Sequence, residues 1–141
     1  MTVSDETLDR AAAAAREGGL VVYPTETVYG LGAAALDPEA VARVFEAKGR
    51  SREKPVSMAA PSVDAALDLV RATEREARFM RQFLPGPVTV VLERGPDVPD
   101  VLTAGRERVG VRVPDHEVAL ALLERVHPLT ATSANRSGQI G

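Results

Sequence analysis

Two lysines and a cluster of arginines are the natural starting point for chemistry in this sequence. Of 17 basic residues only Lys48 and Lys54 are lysine, and they bracket Arg50 and Arg52, with Glu53 the one acid between them. This is a basic island in a chain of net charge −3. Compact ammonium groups gathered at one spot suit a phosphate-sized anion, and a single island on an acidic chain suits a small ligand better than a long polyanion. Lys48 has a second signature. Val41, Val44, Phe45 and Lys48 fall at i, i+3, i+4 and i+7, so Lys48 ends the apolar stripe of a helix. Its ammonium either snorkels to solvent or reaches into the cleft that the stripe lines. Positive charge at a helix C-terminus, worth on the order of a few tenths of a kcal/mol, also explains Lys48, but it explains Arg52 and Lys54 poorly.

Arg112 lies in an alternating run. In Val109-Gly110-Val111-Arg112-Val113 the valines point one way, while Gly110 and Arg112 point the other, with the glycine clearing space beside the guanidinium. A planar fork there fits a carboxylate or phosphate; an ion pair with a neighbouring acid fits the pattern as well. Ser133 and Asn135, two apart after an apolar run, face one side if the chain stays extended, although short polar residues also make ordinary turns. Pro24-Thr25-Glu26-Thr27-Val28-Tyr29-Gly30-Leu31-Gly32 is dense in hydroxyls and glycine, and is expected to be a packed loop presenting them at the end of a strand.

Several other chemistries are excluded by the residues. Gly30-x-Gly32 is no dinucleotide fingerprint, because residues 24–29 separate it from the strand and Ala35 stands where the third glycine belongs. A Walker A loop is missing. There is no cysteine, and His116 and His127 have no metal-ligand spacing. Asp115-His116 reads as a helix cap followed by a surface histidine, and Asn135-Arg136-Ser137 is an idle glycosylation triplet in a chain with no secretory signal. What is left is a set of cations and hydrogen-bond donors, suited to positioning and charge neutralisation at phosphorus.

The elements that must position these groups alternate in type. Ser4 caps a helix through Leu8 and Ala11–Ala15 that stops at Gly18-Gly19, and Leu20–Tyr23 reads as a buried strand. Asp37-Pro38 opens a helix running to about Lys48-Gly49. Pro55–Ala60 is predicted as a strand, Val63–Val70 and Thr73–Phe83 as helices, and Val88–Leu92 and Val109–Val113 as strands. Asp115 is predicted to cap a helix through Leu123, and Leu129–Thr132 to be a last strand. Interleaved strands and helices imply an α/β fold with a mixed sheet. A length of 141 residues, 45% hydrophobic and 26% charged, fits one globular domain, residues 1–141. With an acidic, polar N-terminus and no apolar run of membrane-spanning length, a cytoplasmic protein with no membrane contact is expected.

Five segments in this order resemble a known family. PTETVYGLG (24–32), KGRSREKP (48–55), FLPGPVTVVL (83–92), VGVRVPDH (109–116) and SANRSG (133–138) are similar to the YrdC/TsaC-like threonylcarbamoyl-AMP synthases, from about Leu8 to Gly141. The resemblance implies a YrdC-like twisted mixed sheet with flanking helices and a concave basic groove. It implies an L-threonylcarbamoyladenylate synthase, a nucleotidyltransferase that makes threonylcarbamoyl-AMP and pyrophosphate from L-threonine, bicarbonate or CO2 and ATP. The product would pass to the tRNA threonylcarbamoyltransferase machinery for threonylcarbamoyladenosine formation in tRNA. Lys48 and Arg50 would be catalytic and, with Lys54 and Asn135, would bind ATP; Thr27, Arg112 and Ser133 would bind threonine. Magnesium would arrive with ATP, held mainly by phosphate and water.

Two positions depart from the family pattern: Lys54 stands where asparagine is common, and Ala59 where histidine is common. The chain is also expected to end before the family's usual C-terminal elements, with activity impaired or self-pairing favoured as a result. Two other functions compete: a double-stranded RNA-binding module of the same fold that contacts tRNA, and a carbamoyl-adenylate enzyme serving another acceptor.

Overall fold

A computed structural model of the chain describes residues 3–26, 29–49, 51 and 53–133. Helix α1 spans Asp5–Arg16, with the Ser4 side chain accepting a hydrogen bond from the Thr7 backbone N–H. Strand β1 (Val21–Pro24) pairs antiparallel with β2 (Tyr29–Gly32), so the expected loop after the first strand is in part a second strand. Glycine at positions 30 and 32 gave no strand signal because its role is to accommodate a neighbour: a Cβ on Gly32 would lie 2.8 Å from the Tyr23 ring, and one on Gly30 3.1 Å from it. Tyr29, expected inside a packed loop, is 57% exposed.

Helix α2 (Pro38–Lys48) follows its sequence signals closely. Asp37 caps Glu39, proline opens the first turn, and Gly49 closes the helix at φ 63°, a left-handed conformation that favours glycine. Strand β3 is reduced to Met58–Ala59, because the Val56 N–H leaves the ladder to donate to Leu102 O. Helix α3 (Val63–Leu67) stops short of the predicted Val70; Val70–Arg71 instead form β4, paired with Arg94 and Glu93. Helix α4 (Glu74–Phe83) opens on a reciprocal capping box between Thr73 and Glu76.

Strand β5 (Val90–Arg94), the short α5 (Asp100–Thr103) and β6 (Arg108–Arg112) come next. Helix α6 (Glu117–Arg125) is capped by His116 rather than by the predicted Asp115. The His116 Nδ1 accepts from the Val118 N–H at 3.2 Å, while the Asp115 N–H donates to the Glu26 carboxylate. Last come β7 (Leu129–Thr130) and β8 (Thr132–Ser133), which split the single strand expected there.

The split defines the architecture. β7 closes a five-stranded sheet of order β4-β5-β6-β3-β7, in which β3 and β6 are parallel and the other pairs antiparallel. β8 instead joins a three-stranded antiparallel sheet, β1-β2-β8. One face of the large sheet, through Met58, Leu92, Val109 and Val111, packs on side chains of α2 to α5. The other face contributes Ala59 and Leu129 to a second core with Tyr23, α1 and α6. This is the α/β mixed-sheet fold with flanking helices that the sequence implied.

Thr130 shows how the chain crosses between sheets without leaving polar groups bare. Fully buried, it accepts from the Ala33 N–H at 3.0 Å through Oγ1 and donates from the same hydroxyl to Leu31 O at 2.8 Å. Its backbone N–H bonds to Ala33 O, and the next N–H, Ala131, bonds to Ser57 O. A side chain thus replaces ladder bonds at the point where the strand changes sheets.

Candidate active site

The crossing from β7 to β8 opens a cavity of about 110 Å³ between the two sheets. Its walls include Tyr23, Thr25 and Glu26 from the first hairpin, Arg112 and Pro114 from the end of β6, and Ala131, Thr132 and Ser133 from the crossing itself. At ~10–15 Å³ for one water, it holds on the order of eight solvent molecules, a volume for a ligand of amino-acid size rather than a whole nucleotide. Its chemistry is mixed. Tyr23, Gly30, Ala59 and Ala131 offer apolar contact, Thr25, Thr132 and Ser133 carry hydroxyls, and Arg112 supplies a cation.

Tyr23 is the firm part of the wall. It is nearly inaccessible, its ring occupies the space left by Gly30 and Gly32, and its hydroxyl donates to Thr130 O at 2.9 Å. Burial pushes the phenol far above its ordinary range, with the nearby Arg112 charge opposing this, so Tyr23 is a neutral hydrogen-bond donor at physiological pH.

Arg112 is half-buried, and among the described residues it forms no ion pair. The alternative of an arginine neutralised by a neighbouring acid therefore does not describe it. Gly110 does not leave room beside Arg112; a Cβ there would lie 2.4 Å from Ser57 Oγ and 3.0 Å from Thr89 Cγ2, so that space is occupied.

Lys48 does not snorkel to solvent. It is 3% exposed, and its Nζ donates to Ser133 O at 2.7 Å and to Ser133 Oγ at 3.2 Å. A buried ammonium costs several kcal/mol unless polar atoms replace water, by roughly the reasoning that applies to any buried ion. Ser133 supplies such atoms. The end of α2 and the end of β8, 85 residues apart in sequence, are joined at this contact.

Among the sequence-predicted site residues, Arg112 and Ser133 thus line one cavity, and Lys48 is joined to it through Ser133. Lys54 does not join them: it is exposed on the loop after α2, away from the cavity lining, and its N–H donates to Ser51 O. Thr27, Arg50 and Asn135 lie outside the described residues. Tyr23, Thr25 and Glu26 went unassigned in the sequence. For Tyr23 a signal existed, an aromatic in an apolar strand followed by two glycines on the facing segment. For Glu26 none did, since its partner is the backbone of Asp115.

With this geometry in view, a family model described as "Telomere recombination", covering Sua5, YciO and YrdC, matches residues 13–140. The chain belongs to the Sua5/YciO/YrdC family. A threonylcarbamoyl-AMP synthase of Pyrococcus abyssi is 48% identical over 131 residues, covering 92% of this chain and 38% of that protein. One of Bacillus subtilis is 42% identical over 142 residues, covering 99% of this chain and 41% of that protein. The chain therefore spans about two fifths of the length of these relatives. The crystal structure of P. abyssi Sua5 complexed with L-threonine superposes with a TM-score of 0.93 at 45% identity, covering 99% of this chain and 42% of that one.

Proposed function

We propose that this chain is an L-threonylcarbamoyladenylate synthase, joining L-threonine, bicarbonate or CO2 and ATP into threonylcarbamoyl-AMP with release of pyrophosphate. The observation that carries the proposal is an amino-acid-sized cavity with Arg112 and Ser133 in its wall, Ser133 being bonded in turn to the buried Lys48. The names of its relatives and the threonine complex of P. abyssi Sua5 support the same reading.

In this scheme Arg112 takes the threonine carboxylate in a two-point contact, with Ser133 and Thr27 beside it. The amine condenses with CO2 to a carbamate, losing a proton. A carbamate oxygen then attacks the α-phosphorus of ATP, forming one P–O bond while the bond to the leaving pyrophosphate breaks. Lys48 and Arg50, with Lys54 and Asn135, offset the negative charge gathered on the phosphates. Magnesium enters as part of the nucleotide substrate, held by phosphate oxygens and water. The product is an activated carbamoyl donor for a tRNA-modifying transferase.

The test is pyrophosphate release with ATP, bicarbonate and threonine supplied together and with each omitted in turn. Release that requires all three is the expected result. Release indifferent to threonine would point to another acceptor and overturn the assignment.

A further inference from the structure

Lys48 has a role in the proposed reaction that its charge alone does not announce. Within 3.2 Å its ammonium meets two oxygens of one residue, the Ser133 carbonyl and the Ser133 hydroxyl. An ammonium only donates, whereas a serine hydroxyl has one proton to donate and two lone pairs to accept with. At Ser133 Oγ, Lys48 therefore occupies an acceptor position, and the hydroxyl proton must point away from it. Ser133 lines the cavity, so that proton is free to serve an anionic oxygen there.

The local fold makes this contact matter. β8 is held to β2 through Gly30↔Ser133 and Leu31↔Thr132. A buried charge-assisted bond to the Ser133 carbonyl, at 2.7 Å, adds a strong tether to that pairing.

We infer that Lys48 is a positioning residue for the amino-acid substrate, holding Ser133 in place and turning its hydroxyl proton toward the substrate carboxylate, in addition to any part it plays at phosphate. The inference rests on the proposed function in naming L-threonine as the ligand. It separates from a purely nucleotide-binding role in a simple way, because it operates when no nucleotide is present.

The experiment is a calorimetric titration of L-threonine into the nucleotide-free protein. Lys48→Met and Ser133→Ala are each expected to weaken threonine binding about tenfold, the effect of losing one such hydrogen bond. The double variant is expected to be within about twofold of the weaker single one, because both changes remove the same interaction. Ser133→Thr, which keeps the hydroxyl, is expected to bind threonine nearly as the parent does. Where Lys48→Met fails to fold, Lys48→Arg takes its place; its larger planar fork cannot reproduce both contacts and should weaken binding as well. Threonine binding by a folded Lys48 variant equal to that of the parent would overturn the inference while leaving the proposed function intact. A parent protein that binds no threonine at all would overturn the proposed function and the inference together.

Discussion

Two arginine-lined concavities at different ends of the molecule make a contrast, and the larger is the less suited to chemistry. At the β4–β5 end of the large sheet, a cavity of about 520 Å³ is lined by Arg71, Glu93, Arg94, Asp100 and Glu107 among others. The arginines there have partners. Arg94 is bound to the Asp100 carboxylate, to Thr103 Oγ1 and to Val98 O, and Arg71 lies 4.0 Å from Glu93. At the sheet-crossing end, the cavity of about 110 Å³ has Arg112 in its wall, with no ion pair among the described residues, and Ser133, whose oxygens accept from the buried Lys48. The difference teaches that volume is a poor guide to a ligand site. A cation already neutralised by a carboxylate has little left to offer an anion, whereas Arg112, with no ion pair among the described residues, keeps its charge for one.

The strongest way to break this comparison is to remove one cation from each end. Lys48→Ala is expected to slow pyrophosphate release by about 10²–10³, the usual cost of a lost preorganised charge. It also leaves the Ser133 carbonyl without that donor, so a loss of about 1–3 kcal/mol in stability is expected alongside. Arg94→Ala should do the reverse, with a similar or smaller loss in stability and turnover within about twofold of the parent. Equal loss of turnover in both variants, measured on folded protein, would erase the distinction between the two ends.

Gly32→Ala tests the apolar wall of the smaller cavity. The added Cβ would lie 2.8 Å from a buried ring that is pinned by its hydroxyl, so the tyrosine cannot simply swing away. A destabilisation of about 1–3 kcal/mol is expected in urea unfolding, with weaker threonine binding as Tyr23 shifts. A variant as stable as the parent would show that the ring has room to move.

Arg112→Lys sharpens the point about free cations. The charge stays but the bidentate fork is lost, so threonine affinity should fall about tenfold and ATP affinity much less. Equal losses for both ligands in calorimetry would count against Arg112 as the carboxylate partner.

The smallest effect is expected from the charge-compensated end. Glu76 is held below its ordinary 4.5, first by the Thr73 backbone N–H it accepts from and also by the Thr73 hydroxyl and Arg108. A carboxylate depressed in the folded state stabilises above its unfolded pKa, and that contribution disappears as pH falls through the folded value. The melting-temperature gap between parent and Glu76→Gln should therefore be present at pH 7 and close as the pH drops below about 4.5. A gap that persists unchanged at pH 3 would mean the capping box does not depend on charge.

What could be read in the sequence and what could not divide along a physical line. Local signals held: Ser4, Asp37-Pro38, Gly49 and Thr73 all act within one helical turn of themselves, and each marks a helix end where the residues said it would. The period-2 run at Val109–Val113 placed Arg112 on the face that lines the cavity, because alternation along a strand needs no knowledge of its neighbours. The family itself was legible, since five ordered segments carry it.

Tertiary structure decided the rest. The apolar stripe of α2 placed Lys48 at the edge of a cleft, but its direction depended on Ser133, 85 residues away. Leu129–Thr132 looked like one strand because propensity cannot register a change of sheet; the crossing is made by Thr130 bonds to residues 31 and 33. Glycines 30 and 32 looked like a flexible loop because the ring that requires them comes from a facing strand. By itself the sequence determined the longer helices α1, α2 and α4, the alternation at β6 and the kinds of group available for chemistry, because these follow from each residue and its near neighbours. Only the folded chain decided which of those groups meet, because the contacts that tie Lys48 to Ser133 and pin Tyr23 to Thr130 join distant segments.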